Sequence, residues 1–168
     1  ENFQVPLVLS ESKNGFSYQD FQSGSDLQIV DADDNILPFE IECWNPSGKS
    51  IVWVKVPNFS KDTKLKLKKI AQDSEPAALE NSTTPFWDNA VGVFHFGDEA
   101  GLNSADGRAF TAYSKTDANA EVLPAFSPVG NGILLNKKSF YRGLEPEINA
   151  YFPEDISKFT VSCWFKTE

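Results

Sequence analysis

The sequence predicts an all-β fold of antiparallel sheets, and three observations carry that expectation. Apolar residues recur with period two in many short runs and almost nowhere with the helical period of about 3.6. Turn residues separate those runs, among them Asn14-Gly15, Ser23-Gly24-Ser25, Asp33-Asp34-Asn35, Asn45-Pro46-Ser47-Gly48 and Asp106-Gly107. Aromatic residues reach 13% of the chain, with 14 Phe, an enrichment suited to strands and sheet cores.

In chain order, strands are expected at residues 4–9, 27–31, 38–44, 50–56, 65–70, 90–96, 132–135, 150–152 and 159–166. In the third, Phe39, Ile41 and Cys43 fall on one side and Glu40 and Glu42 on the other. In the fourth, Val52 and Val54 face the core and Lys55 faces away. In the fifth, Lys64, Lys66 and Lys68 alternate with Thr63, Leu65 and Leu67, the pattern of a strand with a solvated lysine face that discourages edge-to-edge pairing. The segment from Ala71 to Pro85 is small, polar and without periodicity, so the division expected is a first domain at 1–72, a linker at 73–85 and a second domain at 86–168. The polar stretch from Asp98 to Asn119 has a poor periodic signal and reads as a long surface loop.

A length of 168 residues allows one domain or two small ones, each with a core. Net charge is −9, which repels phosphate backbones and anionic headgroups, so nucleic acid is not an expected partner. No run approaches the ~18 apolar residues of a membrane span, and no membrane insertion is expected within the segment. Cys43 and Cys163 each precede a Trp in an alternating run. Two buried free thiols, a disulfide between domains and a metal or catalytic role all remain open readings.

Residues 24–59 carry a Gly-Ser-Asp opening, a D-A-D turn, the strand PFEIECW and the strand WVKVP. That succession resembles a bacterial domain family of unknown function found in secreted and envelope proteins. Further on, Phe86-Trp87-Asp88-Asn89 through Val93-Phe94-His95-Phe96, together with the closing run FTVSCWFKT, is similar to the start of a concanavalin A-like, LamG-type jelly roll. The resemblance covers most of the chain. It implies a β-sandwich fold, a partial second sandwich, a secreted, periplasmic or cell-surface setting, and roles in adhesion or the envelope. Some relatives with this pair of domains are joined to membrane proton-channel components that energise transport.

The residues with chemical potential are few. Asp31, Asp33 and Asn35, with Glu42 further on, match a Ca²⁺-binding EF-hand loop in spacing. Ile36 stands where that loop needs Gly, and strands flank it on both sides, so a hairpin turn with no bound metal is expected. His95 is the sole histidine, so no catalytic triad or multi-histidine site can be assembled. Glu40 and Glu42 share a strand face at a spacing compatible with glycoside hydrolysis, but nothing nearby suggests a pocket to tune either one. No catalytic residue and no cofactor is assigned. The tryptophans Trp44, Trp53, Trp87 and Trp164 are the candidate ligand-binding residues, because sugar rings stack on flat aromatic faces; an ordinary core position is the competing reading for Trp44, Trp53 and Trp164, and a staple at the domain junction for Phe86 and Trp87.

The function expected is therefore a non-catalytic extracytoplasmic binding module for a glycan or an envelope protein. A structural or sensor domain of a membrane-associated proton-channel protein is the alternative, and a polysaccharide-degrading enzyme the third. The last run carries Phe159, Val161, Cys163 and Phe165 as an apolar face, so the second half is expected either to pack onto the first domain or to pair with a second copy through its exposed edge.

Overall fold

The computed structural model of the protein describes residues 2–21, 24–70, 86–87, 93, 160–163 and 165, together with the strands at 112–116, 122–126, 131–135 and 139–143. Every paired strand is antiparallel, as the all-β reading expects. Apart from strands, the described residues form two short 3-10 turns, at Lys13–Gly15 and Tyr18–Asp20. Among the described residues, no helix is long and apolar enough to cross a membrane. The chain divides into two compact units, Glu1–Asp88 and Asn89–Glu168.

The first unit holds β1 (Asn2–Ser10), β2 (Leu27–Val30), β3 (Phe39–Cys43), β4 (Lys49–Pro57) and β5 (Lys66–Lys69). They form a three-stranded sheet in the order β1-β4-β3 and a two-stranded sheet of β2 and β5. Both sheets contribute to one core. Leu9, Val52, Val54 and Val56 come from the first sheet and Leu27 and Ile29 from the second, with Leu65 and Leu67 packed against them. Period two explains the selection: on β4, Val52, Val54 and Val56 share one side, while Ile51, Trp53 and Lys55 take the other.

Cys43 and Trp44 depart from simple alternation. The register of β3 against β4 runs Phe39↔Val54, Glu40↔Trp53, Ile41↔Val52 and then shifts to Cys43↔Ile51. One extra residue in a strand resets its phase. Trp44 thus packs on the core, and Cys43, expected there, is half-buried outside that cluster. Both Cys43 and Cys163 are free thiols, the latter exposed.

Trp44 closes the core with rings from the segment after β1. Its centroid lies 5.3 Å from Tyr18, 6.3 Å from Phe16 and 6.5 Å from Phe21, all edge-on. The Tyr18 hydroxyl donates to Leu9 O at 3.2 Å, accepts from Ser50 N at 3.0 Å and lies 2.8 Å from Ser50 Oγ, tying the aromatic segment to the end of the β1–β4 ladder.

In the second unit, β6 (Ala112–Thr116) pairs with β9 (Ser139–Gly143), and β7 (Val122–Phe126) pairs with β8 (Asn131–Leu135). Only β8 was expected as a strand, and β6 lies within the stretch read as a loop. Residues 160–163 and 165 belong to no strand, with Val161 75% and Phe165 84% exposed. Alternation marks an apolar side there, but a strand also needs a neighbour for its backbone groups. The expected linker at 73–85 and His95 lie outside the described residues, as does all of the expected strand 90–96 except Val93.

Gly24 makes the closest approach in the core. Its φ is +82°, and a Cβ there would stand 2.7 Å from Ile41 Cδ1 and 3.0 Å from Trp44 Cε3. Gly24→Ala therefore combines a left-handed conformation with a steric collision, and is expected to lower unfolding free energy by about 1–3 kcal/mol. Urea denaturation followed by circular dichroism measures it; a midpoint equal to the native one would contradict this packing.

Candidate functional site

On the face of the β1-β4-β3 sheet turned away from the core, two tryptophans meet two carboxylates. Trp53 projects there because its neighbours Val52 and Val54 take the core side, and Glu40 sits directly opposite it on β3. Trp53 Nε1 donates to Glu42 Oε2 at 2.6 Å, and Trp87 Nε1 donates to Glu40 Oε2 at 2.7 Å. These are charge-assisted bonds, shorter and stronger than neutral ones. The two indoles meet edge to face at 5.3 Å, and Phe86 meets Trp87 in the same manner at 5.0 Å. Gln4 Nε2 on β1 donates to Phe86 O at 2.9 Å. Phe86 and Trp87 are buried and Trp53 is half-buried.

Lys55 follows Trp53 on the same face of β4. The sequence placed it on this side, and so it is; the structure adds that it is 7% exposed and not solvated. A lysine stem can lie along aromatic surface, which lets this face bury it without disrupting the sheet.

The four tryptophans singled out by the sequence are thus separated. Trp53 and Trp87 meet on the outer face, Trp44 packs on the core, and Trp164 lies outside the described residues. Sequence reasoning noted Glu40 and Glu42 only as a same-face acidic pair and gave no role to Gln4. The link from Trp87 to Glu40 spans 47 positions, a distance over which periodicity carries no information.

The Asp31 segment is a tight turn. Asp31 Oδ1 accepts from Asp33 N and Asn35 N, both at 2.9 Å, and Oδ2 accepts from Asn35 Nδ2 at 2.9 Å. Asp31 N donates to Asn35 O and Leu37 N to Ile29 O, closing the reversal, with Asp34 at φ 66°. Among the described residues, no group of three or more His, Cys, Asp or Glu is placed to hold a metal. The Asn35 side-chain donor, helped by the Asn35 and Asp33 backbone and by the Lys66 charge, holds the Asp31 carboxyl below its ordinary value. Asp34 is lowered likewise by hydrogen bonds from Lys68 and Lys66, each ammonium 3.0 Å away.

Residues 23–107, half of the chain, match the model of a family described as Domain of unknown function (DUF2341). No curated protein and no solved structure matches the chain. The matched stretch includes β2 to β5, Phe86 and Trp87, and begins after β1.

Three outcomes are expected. Trp87→Ala removes a buried ring and the donor to Glu40, and should cost about 3–5 kcal/mol in urea unfolding, whereas Trp87→Phe keeps a ring and should cost about 1–3 kcal/mol. Asp31 has a folded pKa below its unfolded one. Its stabilisation is therefore present above about pH 3.9 and disappears as pH falls through the lowered folded value. The difference in melting temperature between native protein and Asp31→Ala should be constant from about pH 5 to 7 and shrink below about pH 4. Added Ca²⁺ should change neither melting temperature; a rise in the native protein alone would identify a metal site.

Proposed function

The chain belongs to the family described as Domain of unknown function (DUF2341), and on that premise we propose that its first unit is a non-catalytic, extracytoplasmic recognition module that binds a glycan on the outer face of the β1-β4-β3 sheet. One observation carries this reading: the half-buried Trp53 ring stands beside Glu40 and Glu42 on one sheet. An indole face stacks on the C–H face of a sugar, and carboxylate oxygens accept its hydroxyls. Recognition fits better than hydrolysis, because each carboxylate is already an acceptor for an indole N–H, while general acid–base work needs carboxyls free to exchange protons with the substrate.

The net charge of −9 favours neutral or cationic sugars over acidic polysaccharides. The secreted or periplasmic setting rests on the resemblance of residues 24–59 to domains of secreted and envelope proteins. The similarity of residues 86–96 and 159–167 to the opening of a concanavalin A-like jelly roll supports reading the second unit as a lectin-like sandwich.

A glycan array followed by calorimetry tests the proposal. At least one neutral or amino-sugar ligand is expected to bind, and Trp53→Ala to weaken it about tenfold or more, the equivalent of about 1.4 kcal/mol. Glu42→Gln should weaken binding less, with no release of reducing ends by either protein. An array without a single ligand, or reducing-end release abolished by Glu40→Gln, would overturn it.

A further inference from the structure

β1 ends the three-stranded sheet, and among the described residues it is hydrogen-bonded on one side only, to β4. Pro6 reveals which of its backbone groups face the other side. It stands opposite Trp53 in an unbroken antiparallel register. Having no N–H, it cannot belong to the pairs that exchange two bonds. Pro6 and its same-parity neighbours Gln4, Val8 and Ser10 therefore occupy the non-bonded pairs, and their backbone groups point away from β4. The Lys55 N bond to Pro38 O at 2.9 Å agrees, since Lys55 stands opposite Gln4 and turns its N–H toward the β3 side.

Exposed strand edges recruit further strands, and proteins blunt them with charge, bulges or brevity. The other edge strands described in this unit have such protection. β3 carries Glu40, Glu42 and a register shift, β5 is four residues with three lysines, and β2 is four residues long. β1 has nine residues with no charge and no bulge, and only Pro6 interrupts its outward donors. Its core-side residues are also incompletely covered: Phe3 is 42% exposed and Val5 and Leu7 are half-buried, while Val54 and Val52 opposite the latter two are at 0%.

We infer that the free edge of β1 docks an extended segment of another protein as an added strand, alternately apolar on the core side and basic at its ends. The alternation would cover Phe3, Val5 and Leu7. The basic ends match Glu11, which directly follows the strand, and the chain's net charge of −9. Glu11 is held below the usual carboxylate range by hydrogen bonds from the Tyr18 N–H and the Ser17 hydroxyl. A second copy of this chain fits less well, because it would bring a second proline to the same short ladder and a second net charge of −9 against the first. Docking here uses the backbone of the sheet edge and is independent of glycan binding at Trp53.

The test is amide exchange by NMR on the full chain, with the synthetic peptide Lys-Thr-Val-Thr-Val-Thr-Val-Thr-Val-Lys as probe. At millimolar peptide, the Val8 and Ser10 amides are expected to exchange about tenfold more slowly or better, as hydrogen-bonded strand amides do. Two N-methylated versions, one blocked at valines and one at threonines, should differ, the protection surviving with one and vanishing with the other. Three results would overturn the inference: slow exchange of both amides in dilute free chain, which would mean the chain covers its own edge; protection that rises with protein concentration alongside a dimer mass; or no peptide effect.

Discussion

β4 has no free side, and the first unit is arranged around that constraint. It is hydrogen-bonded to β1 along one edge and to β3 along the other. One face supplies Val52, Val54 and Val56 to the core, and the opposite face supplies Ile51, Trp53 and Lys55 to a second covered surface. A shift of one residue would exchange these sets, placing Trp53 and Lys55 in the core and the valines against Glu40 and Trp87. Neither set can be accommodated in the other's place, so the register of β4 fixes β1, β3 and the position of the indole–carboxylate cluster together.

This explains what could be read from the sequence. The five strands of the first unit lie within two residues of the expected bounds, because each has a clear two-residue alternation. The bulge after Ile41 was not legible. It adds one residue without altering composition, and Cys43 and Trp44 then exchanged sides relative to strict alternation. The burial of Lys55 was equally hidden, since alternation assigns a side of the strand and not the cover that side receives. In the second unit β7 carries Pro124 and β6 is largely polar, features that by local rules demote a strand. Those pairings depend on neighbours that a local pattern does not name.

Trp44 and Trp53 sit on adjacent strands of one sheet, and the bulge decides their different fates. Trp44 joins Phe16, Tyr18 and Phe21 and packs closely over Gly24. Trp53 keeps its place on the outer face, where the Trp87 ring from a segment beyond β5 packs against it. The residue type was informative in both cases, and the strand phase determined the use.

The outer face also shows why that segment is held where it is. Apolar contact alone is non-directional and would let two rings slide over a pleated surface. Here Gln4 on β1 binds the Phe86 carbonyl, Glu40 on β3 binds the Trp87 indole, and Trp53 on β4 receives the Trp87 ring edge to face. One attachment on each of the three strands defines a single position and orientation, since hydrogen bonds weaken steeply away from linearity. The same three attachments link the strands to one another across the sheet. Replacing Glu40 by an apolar residue of similar size would preserve much of the buried area yet remove the directional restraint, so the position of the segment, more than its burial, depends on that carboxylate.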